Sequence, residues 1–187
     1  CPESGIRDRF SSLEKNEFMV LATAPANLDE YIIKNQLTRD FEDFIHRVSG
    51  QSFEFQDPKD DDKELYCVFG LGRIPFDKIA STGTQSLMLL YYWLKQMTNA
   101  SFVFIDEFDA FYHFRLSYEV CKTLFALPCQ AFTSSHNTYL MTNDLLRPDC
   151  NFILQDNKIK PLSDCTQIEL RFGHNIEKMF RGNAFEV

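Results

Sequence analysis

Apolar residues recur at three- and four-residue steps through Leu28, Ile32, Ile33, Leu37, Phe41, Phe44, Ile45 and Val48, which is the spacing of one helix face. Asn27 ahead of Asp29-Glu30 reads as a helix start and Gly50 as a stop, so residues 1 to about 50 read mainly as helix. The run Asp57-Pro58-Lys59-Asp60-Asp61-Asp62-Lys63-Glu64 lacks the glycine and distal glutamate of a calcium loop and reads as a solvated turn. Gln51 to Gln56 and Glu64 to Phe69 alternate enough to be the two strands of that hairpin. Gly70-Leu71-Gly72 then reads as a strand end.

The pattern changes from residue 79. Ser86 to Met97 is apolar nearly all round, as in a helix buried on most faces. Ser101 to Ile105 is a short continuous apolar strand, Leu116 to Leu127 a helix stopped at Pro128, and Cys129 to Thr133 a second strand. Thr138 to Leu146 predicts a short helix ahead of Pro148. Asn151 to Gln155 predicts a strand that pairs with Lys158 to Leu162 across Asp156-Asn157. Continuous apolar strands alternating with helices imply an α/β fold whose mostly parallel sheet is covered on both faces by helices. Residues 1–66 read as a helical segment with a small hairpin, and 67–187 as the sheet-bearing lobe.

Composition adds bounds. A chain of 187 residues, 44% hydrophobic, can bury a sizeable core, and its 19 phenylalanines speak for core filling. The net charge of −8 does not favour a nucleic-acid footprint over the whole surface, which leaves only a local basic patch for such a partner. Leu87 to Leu94, the longest apolar stretch, is too short to span a bilayer. The six cysteines (Cys1, Cys67, Cys121, Cys129, Cys150 and Cys165) include no C-x-x-C pair and read as buried small apolar residues in a reducing cytoplasm. The chain opens on Cys1-Pro2 rather than Met, which suggests a piece of a longer protein.

Chemistry concentrates at strand ends, where open parallel sheets bind ligands. Asp106 and Glu107 end the first apolar strand and His136 ends the next. Phosphoryl transfer needs Mg²⁺ on the phosphates and a group that positions the attacking water. Asp106 suits the Mg²⁺ shell, Glu107 the water, and His136 the γ-phosphate. Ser81-Thr82-Gly83-Thr84-Gln85 opens the buried helix, as an N-cap or as an anion site. Asp106, Glu107 and Asp109 could also serve a metal-dependent nuclease, but no further Asp-x-Asp or Glu-x-Lys cluster follows a strand.

Taken in order, Ser81-Thr82-Gly83-Thr84-Gln85, Phe102-Val103-Phe104-Ile105-Asp106-Glu107 and Thr133-Ser134-Ser135-His136 resemble the signature motif, Walker B strand and switch histidine of ABC-type ATPases. The closer likeness is to the SMC-like, OLD-like branch of AAA-family ATP-binding proteins of abortive-infection and anti-phage systems. Asn137-Thr138-Tyr139-Leu140, Leu146-Arg147-Pro148-Asp149 and the run from Arg171 to Lys178 extend the likeness, which covers roughly residues 70–187. It implies catalytic Glu107 and His136, a metal-side Asp106, and ATP contacts from Ser81, Gly83 and Gln85, with Ser81 and Gly83 reaching the γ-phosphate on a partner subunit. Asp109 falls in the loop that crosses the dimer interface. His113 matches a histidine that precedes proline in relatives, but Phe114 stands in place of that proline. Thr82 and Thr84 depart from the transporter form, and nothing transporter-like calls for a membrane partner.

The resemblance thus implies a cytoplasmic ATPase head that uses ATP and Mg²⁺, homodimerises around nucleotide and drives an effector. No G-x-x-x-x-G-K-[ST] loop occurs, since none of the seven glycines precedes lysine. The chain therefore reads as the C-terminal part of such a P-loop head, with residues 1–50 from a lid or insertion, and as inactive in isolation. A non-catalytic interaction or regulatory module with vestigial motifs is the competing expectation.

Overall fold

The computed structural model describes residues 25–59 and 61–186, so the helix expected over 1–24, and Cys1 with it, lie outside the described residues. The described residues divide into two compact units: those up to 105 with 127–132, and 106–126 with those from 133 on.

In the first unit the expected helix is two helices, α1 (Leu28–Lys34) and α2 (Thr38–Ser49). Asn27 caps α1 through Oδ1, which accepts the Glu30 N–H at 3.1 Å. The break falls at Gln36, whose φ of 56° is left-handed. Phe41, Phe44, Ile45 and Val48 then form the buried stripe of α2. Gly50 ends it at φ 71°, donating its N–H to the His46 carbonyl at 2.9 Å.

The hairpin forms elsewhere than the alternation suggested. β1 (Tyr66–Phe69) pairs antiparallel with β2 (Gly72–Pro75) in the register Phe69↔Gly72. Gly70-Leu71 is therefore a turn and not a strand end. Its φ of 56° at Gly70 allows the two-residue connection, which brings local strands together at little loop-closure entropy. The pairing across residues 57–64 survives as the bridge Phe55↔Cys67 and two flanking backbone bonds of 2.8 Å.

After the short helix α3 (Phe76–Ile79) comes α4 (Thr82–Gln96), which buries Thr84, Leu87, Met88, Leu90 and Tyr91. Leu89 is exposed, so one broad face of α4 is buried and not most of its circumference. Around Phe41 the rings of Phe55, Phe76 and Tyr91 pack with centroids 5.8, 5.9 and 5.1 Å away. Lys95 of α4 meets Asp40 of α2 at 2.6 Å, and the Tyr91 hydroxyl donates to the same carboxylate.

β3 (Phe102–Ile105) pairs with β4 (Gln130–Thr133), and the chain between them includes α5 (Phe114–Phe125). Phe102 stacks on Phe132 at 5.6 Å, yet Phe102 and Phe104 stay exposed. Among the described residues, then, the strands form three two-stranded sheets and not one mostly parallel sheet covered on both faces. The α/β character holds. Two of the sheets are antiparallel hairpins, because a two-residue turn can join only antiparallel neighbours.

In the second unit α5 buries Leu116, Ser117, Val120, Cys121 and Leu124. β5 (Phe152–Gln155) and β6 (Lys158–Pro161) pair as expected across Asp156-Asn157, with φ of 50° and 59°. Leu162, Cys165, Ile176 and Phe185 form a small core beside α6 (Ile176–Arg181). The helix expected over Thr138–Leu146 shrinks to one 3-10 turn, Thr138–Leu140. Asn143 instead donates from its amide to the carbonyls of Phe172 and His174 at 2.6 and 3.1 Å, fastening that loop. Cys67, Cys121 and Cys165 are buried as expected, whereas Cys129 is half-buried and Cys150 exposed. Burial pushes the Cys67 thiol up to about 11 and the Cys121 thiol up to about 12, which keeps both protonated at neutral pH.

Candidate functional site

Where β3 ends, the chain turns sharply. Glu107 has φ 44°, a left-handed conformation uncommon outside glycine. Ser134, just past β4, holds this turn through three bonds. Its hydroxyl donates to Asp106 Oδ1 and accepts the Glu107 N–H at 2.8 Å, while its carbonyl accepts the Phe108 N–H at 3.3 Å. A hydroxyl has one proton to give, so the direction of this chain is fixed: amide to hydroxyl to carboxylate.

Two residues on, His136 Nε2 lies 3.6 Å from Glu107 Oε1. The two side chains are 94% and 64% exposed, so a ligand can reach both. Ser135 adds a second tie, donating from Oγ to Asp109 Oδ2 at 2.8 Å and accepting the Asn137 N–H at 2.9 Å. The loop after β4 thus gathers Asp106, Glu107 and His136, all exposed, and the half-buried Asp109 into one patch of the second unit. Ser134 and Ser135, which organise it, stand in the sequence motif only as the run before His136, with no role read for them. The available signal was a pair of hydroxyls between an apolar strand and a histidine.

Hard carboxylate oxygens at Asp106 match the chemistry of Mg²⁺, an ion that keeps several waters and takes further oxygens from phosphates. Among the described residues no group of three or more His, Cys, Asp or Glu side chains could hold a metal ion by itself.

The residues of the other expected group lie in the first unit. Ser81 caps α4, its Oγ accepting the Thr84 N–H at 3.2 Å and lying 2.9 Å from Thr84 Oγ1. Thr84 Oγ1 donates onward to Gln51 at 2.8 Å. Gly83 occupies the second helical position of α4. Gln85 turns its amide back to the Asp77 and Ala80 carbonyls at 3.0 and 3.4 Å, so it secures the preceding turn. Ser81, Gly83 and Gln85 are therefore built into one helix start, the type of terminus that attracts anions.

His113 caps α5, its Nδ1 accepting the Leu116 N–H at 3.4 Å. Phe114 is the first helical residue, a slot proline also fits because its N–H has no intrahelical partner. The Phe-for-Pro departure therefore leaves the helix start intact.

Comparison with known proteins bears on this arrangement. One matching solved structure comes from work on ATP-driven dimerisation and DNA-stimulated activation of SMC ATPases, at 14% identity over 72% of this chain and 87% of that one. Its TM-score is 0.46, and at that level it carries no argument here. No curated protein matches the chain. A family model described as "AAA domain, putative AbiEii toxin, Type IV TA system" matches residues 7–142, including β3, the serine-histidine loop and the start of α4. That span reaches well upstream of residue 70 and stops before 143–187, so it differs in extent from the likeness drawn from the motifs. The chain belongs to this AAA-domain family, whose character is that of a nucleotide-binding ATPase.

Proposed function

We propose that these residues form part of an ABC-type ATPase head that binds and hydrolyses ATP, dimerises around the nucleotide and drives an effector, in the cytoplasm and in anti-phage defence. The observation that carries this reading is the Asp106-Glu107 turn held by Ser134 with His136 3.6 Å from the Glu107 carboxylate.

In this reading Mg²⁺ neutralises charge on the phosphates. Asp106, one of whose oxygens Ser134 orients, would hold the ion through its water shell. Glu107 accepts a hydrogen bond from the attacking water and aims it at the γ-phosphate. His136 contacts the γ-phosphate and, through its neighbour Glu107, links phosphate contact to the water. Ser81 and Gly83, at the N-terminus of α4, present hydroxyl and N–H groups to the γ-phosphate of ATP on a partner head, and Gln85 stiffens that turn. Asp109 crosses to the partner from the turn that follows β3. A separate nucleic-acid role draws no support from the net charge of −8. Among the described residues no helix is long and apolar enough to cross a membrane.

The test is Glu107→Gln in the full-length protein. Loss of the water-orienting carboxylate should lower turnover on the order of a hundredfold or more, with ATP binding and nucleotide-dependent dimerisation retained. Steady-state phosphate release and analytical ultracentrifugation with and without ATP measure the two. Unchanged turnover would point instead to an interaction or regulatory module with vestigial motifs.

A further inference from the structure

We propose that Ser134 is the positioning residue of the carboxylate pair, the single group that sets Asp106 and Glu107 relative to each other and ties both to the histidine loop. The inference rests on the ATPase reading of the site and deepens it.

One hydroxyl serves two masters here. Ser134 Oγ–H donates to the Asp106 carboxylate, and the same oxygen accepts the Glu107 backbone N–H at 2.8 Å. The residue that would face the ion and the residue that would face the water therefore share one anchor. Glu107 needs that anchor, since its φ of 44° is a conformation that an L-residue holds only when its surroundings impose it. The Phe108 N–H to Ser134 carbonyl bond, 3.3 Å, adds a second constraint on the same turn. Ser134 stands two residues before His136, with Ser135 between them fixed to Asp109 at 2.8 Å. His136 is thus joined through two residues to the backbone of Glu107. The hydroxyl takes up one Asp106 oxygen, which leaves the other for the water shell that an ion would bring. A small apolar side chain at 134 would leave the backbone bond from Phe108 in place and remove both bonds to Oγ.

The expected outcome separates positioning from binding. In the full-length protein, Ser134→Ala should lower kcat for ATP on the order of ten- to a hundredfold, because small misplacements of catalytic groups have effects of that size. KM for ATP should stay within about threefold, since Ser134 itself is given no phosphate contact. The Mg²⁺ concentration for half-maximal rate should rise, a readout that a merely structural role does not move. Ser134→Thr, which keeps the hydroxyl, should restore most of the rate. Ser134→Val, matched to threonine in shape, should not, and this pair carries the test if the alanine variant folds poorly. Wild-type kcat and Mg²⁺ dependence in both the alanine and valine variants, beside an inactive Glu107→Gln, would overturn the role of Ser134 alone. Full turnover in Glu107→Gln would overturn the ATPase reading and this inference with it.

Discussion

Asp29, in the first turn of α1, is half-buried, and burial pushes its carboxyl from 3.8 up to about 6. The Leu65 N–H opposes that rise, while Asp77 and Glu64 nearby reinforce it. An acid raised in the folded state binds its proton more tightly folded than unfolded. Its contribution to stability is therefore present in full below the unfolded value near 3.8 and is lost as pH climbs through about 6. Asp29→Asn, uncharged throughout, should be the more stable form above pH 6, with the difference closing towards about pH 4. Urea denaturation of both proteins across that range measures it, and a gap that does not change with pH would dismiss the ionised Asp29 as its cause. Asp29 was legible in the sequence only as a favourable first-turn carboxylate. The groups that act on it include Leu65 and Asp77, 36 and 48 positions away in the chain, which no local pattern encodes. Asp106-Glu107 stood out for the opposite reason, since a pair of carboxylates directly after four apolar residues announces itself locally. Ser134 did not, because a serine before a histidine carries no periodic signal until the other strand end is beside it.

At the scale of elements, local rules succeeded wherever one residue settles the conformation. Asn27 caps α1, Gly50 stops α2, and Asp156-Asn157 turns β5 into β6, each as its residue type suggests. They failed where two candidates competed. Glu64–Phe69 could pair backward across a long charged loop or forward across Gly70-Leu71, and the shorter closure takes most of the strand. The Thr138–Leu146 helix gave way because Asn143 engages a distant loop. Gly50 offers a clean check on capping. A Cβ there would meet nothing within 4 Å, so Gly50→Ala tests only the left-handed backbone at φ 71°. The variant should lose about 1 kcal/mol of stability by urea denaturation. A midpoint equal to that of the wild type would show that α2 does not end through this residue's left-handed turn.

For the molecule as a whole, the family match over 7–142 supports the class of chemistry and not its completeness. No phosphate-gripping G-x-x-x-x-G-K-[ST] loop occurs in these 187 residues, so the chain by itself should bind ATP weakly and not turn it over. Isothermal calorimetry with ATP and Mg²⁺ checks this, and tight binding by the isolated chain would contradict the split-site reading. At this scale the α/β character holds, while the described strands form two-stranded sheets in place of the expected mostly parallel one. Continuous apolar strands such as Phe102–Ile105 imply cover on both faces, but Phe102 and Phe104 remain exposed among the described residues. The ring cluster around Phe41 was foreshadowed by the 19 phenylalanines, although composition could not say which of them meet.

The left-handed turn at Glu107 also sets two selection pressures against each other at one codon. Glycine or asparagine suits φ 44° better than glutamate does, by roughly 1 kcal/mol for glycine. A library screened for heat tolerance alone should therefore drift away from glutamate at position 107, whereas one screened for turnover should hold it. A design effort that ranks substitutions by folding stability would favour erasing this carboxylate, and would count the loss as an improvement.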